Sequence, residues 1–370
     1  MKYYYAFILL FFFTISVGQS FDDMISSNRA IDCRDVTYSA SSIIGDLYAN
    51  NEMIKIYDFL DYWQSKCGNI EAIDRLRTIL DINGNRFSPT SISESTIEAL
   101  LFYRGSINNK NDSIPLENSY YQKINSIDSL TQKIAKDSNS GSLDEQLLID
   151  FYANENPSFD KIKRAPYYSK LKGLHSTVYG KTLRMWELHF AYIGGAILNY
   201  GNISVFGTRP HIGGILGGKT LKHTIDVVFD IRIGSSAEEY SFVYQGDLIT
   251  DDTWTGIYFG AEYTYDFFNS RKINLGISPG IAYESIVALS TDEDDDDDGK
   301  NLPSFNSNIG LVFKYRYGKS GAYLGLHLRY NWVDYRNRGG TQLDGQYLNI
   351  RLALGNIFNA NRNFRLKNLE

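Results

Sequence analysis

Two hydrophobic periods divide the chain. From Ser20 to about Asn156, apolar residues return every three or four positions, the period of amphipathic helices. Met53, Ile56, Tyr57, Leu60 and Trp63 or Gln64 form one stripe, which ends at Cys67 before Gly68. Ile70, Ile73, Leu76, Ile79 and Leu80 form a second. Ser91 with Glu94 reads as a capping box ahead of Ile97, Leu100 and Leu101. Tyr120, Ile124, Ile127, Thr131 and Ile134 follow, and LDEQLLIDFY (143–152) closes the series after the breaker DSNSGS. The pattern predicts a compact bundle or a short solenoid, with no repeat that holds residue by residue. A protein-binding solenoid and plain structural packing stand level here.

Beyond residue 184 the period becomes two. In HTIDVVFDIRIG (223–234), Ile225, Val227, Phe229, Ile231 and Ile233 share one face of a strand, and Asp226, Asp230 and Arg232 share the other. Eight such segments run roughly over 184–198, 204–217, 222–234, 253–267, 273–289, 304–317, 321–335 and 345–358. Short connections (GGKTLK, NSRK, GKSG) alternate with long ones, notably SSAEEYSFVYQGDLITDD and STDEDDDDDGKNLPS. Period two does not say which face meets water, because a soluble barrel turns its polar face out and a membrane barrel turns it in. Aromatic residues decide. Trp186, Phe267, Phe268, Tyr317 and Phe358 collect at the short-turn ends; Tyr200, Phe305, Trp332 and Tyr335 collect at the other. Two belts, with charges on the opposite face of every strand, predict apolar faces in lipid and charges in the lumen. The predicted fold is an N-terminal helical bundle or solenoid followed by an eight-stranded antiparallel transmembrane β-barrel.

The ends and joints complete the division. MKYYYAFILLFFFTISVGQS carries a positive residue, an apolar core and small residues before Gln19, so 1–18 reads as a secretory signal peptide. Residues 19–156 are the helical domain, 157–183 a basic linker, 184–358 the barrel and 359–370 a C-terminal tail. In the linker Lys161, Lys163, Arg164, Lys170 and Lys172 invite anionic headgroups, although a solvated linker is the simpler reading. The two cysteines of an exported chain, Cys33 and Cys67, predict a disulfide. The net charge of −6 comes from a run of seven acids at 292–298, so the remainder is nearly neutral and no basic excess points to nucleic acid.

On this register the inward charges are Glu187, Asp226, Asp230, Arg232, Glu262, Asp266, Glu284, Lys314, Arg316, Arg329 and Arg351, joined by Arg209. An eight-stranded barrel is filled by its own side chains, so these are expected to pair as a salt-bridged plug. Ring closure brings the last strand beside the first, so Arg351 is expected to reach Glu187. His189, His211 and His327 also point inward and would supply a general base. No serine falls beside them in the pattern that barrel lipases and acyltransferases use, and a filled lumen excludes an acyl chain, so no catalytic residue, cofactor or enzymatic activity is expected. Asp294, Asp296 and Asp298 fit a D-x-D-x-D-G calcium loop. In a poly-Asp tract that match is nearly automatic, and a solvated acidic loop is preferred to a weak divalent-cation site.

The region 184–358, with its last strand GQYLNIRLALGNIF, resembles the small eight-stranded outer-membrane barrels of the OmpA/OmpX type. It departs from them in the twelve residues that follow Phe358. The Tyr/Asn/Ile-rich composition and the cut before Gln19 are similar to those of exported Bacteroidetes-type proteins. The resemblance implies a Gram-negative outer membrane, lipid around the barrel, and a helical domain and tail in the periplasm. It implies no activity. Three functions compete. The first is a non-enzymatic scaffold or accessory subunit of a secretion, assembly or motility complex, which binds other outer-membrane or periplasmic proteins through the helical domain. The second is a surface-binding protein using the long loops, and the third a lipid-A-modifying barrel enzyme.

Overall fold

The computed structural model describes residues 21–25, 31–108, 118–270, 272–288, 300–317 and 321–370. The signal-peptide segment and the acidic run with Asp294, Asp296 and Asp298 lie outside them. The chain divides into a helical unit, which runs to Gly180 and takes in Arg365–Glu370, and a barrel unit, Lys181–Phe364.

In the helical unit, helix Cys33–Ala49 opens at Asp32, whose Oδ1 accepts the backbone N–H groups of Arg34 and Asp35 at 2.9 and 3.0 Å. It packs on helix Met53–Cys67, which buries Ile56, Leu60 and Trp63 of its stripe and Phe59 besides. The Cys33–Cys67 disulfide joins the two helices. Helix Glu71–Asn83 packs on helices Asn118–Asp137 and Leu143–Tyr152. The last of these begins with a Ser142–Glu145 capping box.

Two helical expectations change. Helix Glu94–Asn108 starts after Ser93, not Ser91; Ser93 donates its N–H to Thr96 Oγ1 at 3.1 Å, while Ser91 ends a separate 3-10 turn. Residues 157–183, read as a linker, instead form helices Asp160–Arg164 and Lys170–Leu183 and bury Phe159, Ile162, Leu171 and Val178. The two prolines that mask the period sit before these helices and between them. The lysines here mostly serve the fold, since Lys161 pairs with Asp150 and Lys170 Nζ donates to the carbonyls of Pro89 and Thr90.

The barrel is closed, antiparallel and ordered β1 to β8: Glu187–Gly201, Thr208–Thr220, His223–Tyr244, Asp247–Asn269, Ile273–Ala288, Lys300–Arg316, Ala322–Tyr335 and Leu343–Phe358. Strict alternation puts Asp226, Asp230 and Arg232 inside at 3% exposure or less, and leaves Ile225, Val227, Phe229 and Ile233 at 42–67%. The belt residues Trp186, Tyr317, Phe358, Tyr200, Phe305 and Trp332 all point outward. A bulge between Asp266 and Phe268 turns Phe267 and Phe268 out together. Tyr335 does not belong to the belt. It shares the parity of Arg329 and Asn331, and it is buried.

The expected loop 235–252 is mostly strand. β3 and β4 continue, past an irregularity between Ser235 and Tyr240, to a two-residue turn at Gln245–Gly246, whose φ values are 51° and 100°. Positive φ at both positions is the hairpin turn that matches strand twist. The last segment, read as a tail, forms helix Ala360–Leu369.

Candidate functional site: the barrel interior and a groove on the helical unit

Inward side chains meet in layers. Nearest the β1 start, Glu187 pairs with Arg362 at 3.0 Å. Next, Lys219 pairs with Asp266, which also accepts Asn274 Nδ2 at 3.0 Å. At the same end His189 Nδ1 lies 2.5 Å from Asp226 Oδ1, and its Nε2 lies 2.6 Å from the Tyr323 hydroxyl.

In the middle, Glu262 takes Arg351 at 2.6 Å and Arg329 at 2.8 Å, and Arg351 also lies 3.4 Å from Asp230. Gly195 leaves space for His211 here; a Cβ at that position would stand 2.9 Å from its ring Nε2. Above, Arg232 pairs with Glu284 and lies 3.2 Å from Asp230. Glu284 accepts hydrogen bonds from Tyr335, Tyr347 and Asn306, the last two at 2.7 Å.

Past this layer the interior turns apolar. Ile203 and Phe206 come from the 3-10 turn Asn202–Phe206, Tyr240 and Phe242 from the β3 extension, and Trp254 and Leu302 from β4 and β6; together they form one buried cluster. The Phe206 ring lies 5.0 Å from Trp254 and 5.2 Å from Tyr240. Tyr335 and Tyr347 belong to this cluster and also bond Glu284, so the apolar stopper and the ion-pair layer are continuous.

The structure thus places ten of the eleven expected lumen charges inside, all buried, with Arg316 half-buried at the rim. Besides Glu187, it gathers five buried acids (Asp226, Asp230, Glu262, Asp266, Glu284) and five buried bases (Lys219, Arg232, Lys314, Arg329, Arg351), of which Lys314 makes no ion pair or hydrogen bond among the described residues. One expected partnership is wrong. Strand closure does set β8 beside β1, but Arg351 stands opposite Gly195, eight positions along from Glu187. At about 3.3 Å per residue that is roughly 26 Å. Arg209 is only half-buried. Lys219 was missed because it was read as turn, although it shares the inward parity of His211. Sequence reasoning missed the inward Tyr258, Tyr323 and Tyr347 and set Tyr335 in the belt, although all four are buried.

His189 is completely buried, and its carboxylate partner is Asp226. Both ring nitrogens of His211 and of His327 lack hydrogen-bond partners among the described residues.

The helical unit carries a polar groove of about 450 Å³, edged by Arg77, Thr78, Arg86, Ser95 and Ala99 and floored by Tyr152. On one side Tyr57 donates to Asp81 at 2.7 Å and the Arg86 guanidinium stacks 4.2 Å over the Tyr57 ring. Burial and this carboxylate push the Tyr57 phenol up. Beside the Tyr152 floor, Arg75 lies 2.7 Å from Asp128, 3.5 Å from Glu71 and 4.2 Å over the Tyr103 ring. Burial pushes the Glu71 carboxyl up to about 7 against the pull of Arg75. Burial opposes charge on Arg75 too, but Glu71 and Asp128 hold its pKa above the ordinary value.

Among the described residues no group of His, Cys, Asp and Glu is arranged to hold a metal ion, and no helix is long and apolar enough to cross a membrane.

No family model and no curated protein sequence matches the chain. The solved structures similar to it match the barrel. Neisserial surface protein A superposes at a TM-score of 0.35 and 10% identity, over 47% of this chain and 97% of its own. The N-terminal β-barrel domain of Pseudomonas aeruginosa OprF gives 0.29 and 15%, over 46% and 97%. The attachment invasion locus protein Ail of Yersinia pestis gives 0.26 and 10%, over 47% and 97%. The fold assigned here rests on the strand pairing itself: a closed, eight-stranded antiparallel barrel of the small outer-membrane type, joined to a helical unit.

Proposed function

We propose that the barrel spans an outer membrane as a closed anchor, and that the helical unit works in the periplasm as a non-enzymatic scaffold or accessory subunit of a larger complex. The observation that carries this reading is the filled interior. Buried ion pairs and an apolar stopper fill the described interior, while the outward faces expose the large apolar side chains that lipid would cover. A barrel closes its own ladder and needs no further domain to be stable in a bilayer. The disulfide-tied helical unit therefore needs a task of its own, and its polar groove offers a surface for a protein partner.

The test uses the full chain, because the helical unit extends to Gly180 and includes Arg365–Glu370, so cutting out 20–156 would split it. Ala99→Trp fills the groove. Purification in gentle detergent followed by mass spectrometry should show partners lost from this variant but kept by the wild type, with the barrel still shifting on unheated gels. Retention of every partner would sink the scaffold reading.

One feature favours the surface-binding alternative: the β3–β4 hairpin, whose Tyr240 and Phe242 belong to the stopper, exposes Leu248 at 62% beside its turn. Loss of partners on shortening that hairpin, with the groove variant unaffected, would select it.

A further inference from the structure

The outer wall has a depression of about 580 Å³ where β3 to β6 pass side by side. Its cause is one small residue. Outward positions on β4 carry Ile257, Phe259 and Tyr263, but between the last two comes Ala261, opposite Val227 on one side and Ile281 on the other. Phe259 pairs with Tyr283, and Tyr283 with Phe305, so an aromatic row stands over the space that Ala261 leaves. At the edge lies Arg336, just past β7, where its backbone N–H donates to the Pro303 carbonyl at 3.1 Å. Arg336 is exposed. This is the end of the barrel with the stopper and the long hairpin.

A second depression, about 350 Å³ over Gly214, is edged by Phe190, Tyr192, Leu216 and Phe229 and has no charged residue. The two differ in chemistry. One offers acyl contact alone; the other offers acyl contact ending at a guanidinium, the group that binds phosphate bidentately.

We propose that the Ala261 groove holds one acyl chain of a phosphorylated outer-leaflet lipid, with its headgroup phosphate on Arg336. This rests on the membrane reading above, and the test separates the two. Full-length protein in detergent is incubated with purified lipid A, with dephosphorylated lipid A or with phosphatidylcholine, washed, and its retained lipid counted by native mass spectrometry. Wild type should keep one lipid A through washing and keep the other two at least tenfold less well. Ala261→Leu fills the groove and Arg336→Gln removes the charge; each should lower lipid A retention about tenfold. Gly214→Leu should leave it unchanged, since a Cβ there meets only the Ala191 carbonyl at an ordinary 3.6 Å. The gel shift on heating is recorded for every variant.

If all variants shift and all retain lipid A equally, or if Gly214→Leu loses as much as Ala261→Leu, the site is wrong and the membrane reading stands. Absence of the shift in wild type would overturn the membrane reading and the site with it.

Discussion

Arg351 on the last strand and Glu262 on the fourth meet across the barrel interior, 2.6 Å apart and both buried. Glu262 also neutralises Arg329, so it answers for two guanidinium groups. Glu262→Ala would leave Arg329 without a carboxylate, and Arg351 with Asp230 at 3.4 Å, which Arg232 already shares at 3.2 Å. Removing one partner of a buried pair costs about 3–5 kcal/mol, because the remaining charge is left without compensation. Glu262→Ala should therefore lower the temperature at which the folded band gives way on gels, with Glu262→Gln in between. Identical transition temperatures for all three proteins would mean that these contacts add nothing to stability.

The same layers predict electrical silence. In planar bilayers the wild type should conduct few or no ions. Phe206→Ala opens the apolar stopper but leaves Arg232, Glu284 and Tyr347 intact beneath it, so it should stay closed too. A steady, large conductance in the wild type would contradict the filled interior.

The barrel was legible because its lumen and its outer wall impose opposite chemistry on alternate residues, and a period of two records that in every strand. Partnerships were not legible. Which base meets Glu262 depends on strand stagger around a closed ring, and neither Arg351 nor Arg329 announces it locally. The β3–β4 extension was hidden because SSAEEYS breaks the alternation and Gln-Gly is a weaker turn signal than Asn-Gly. Glu71 was invisible for a different reason. It looks like a solvated first-turn acid, and only the packing of Arg75, Asp128 and Tyr152 around it makes it a strained one.

The disulfide should matter to one unit and not the other. Cys33–Cys67 encloses a separation of 34 residues within the helical unit, worth about 3–4 kcal/mol in the chain-entropy model. Beside it the buried Trp63 indole donates to Thr37 Oγ1 at 3.1 Å. Replacing both cysteines by serine should lower the melting of the helical dichroism signal and leave the heat-dependent gel shift of the barrel in place. Loss of the gel shift in that variant would mean that the barrel depends on the helical unit to fold.

Glu71 gives the helical unit a pH dependence with a definite sign. Burial raises its carboxyl from the ordinary 4.5 to about 7, and Asp128 and Asp74 add to the rise while Arg75, 3.5 Å away, opposes it. Between those two values the folded chain holds a proton that the unfolded chain has released. The stability from this group is therefore complete below about 4.5 and is lost as pH rises through about 7. His175 works in the opposite sense: burial lowers its pKa from 6.5, so its contribution is lost as pH falls below that value. The two are separated by comparing wild type with Glu71→Gln, which keeps His175 and leaves Arg75 its contact with Asp128 at 2.7 Å. At pH 8 the variant should be the more stable by on the order of 1–3 kcal/mol, and near pH 4.5 the gap should close. Denaturant unfolding followed by helical dichroism at several pH values measures this. A constant offset between the two proteins across the whole range would show that Glu71 does not titrate in it.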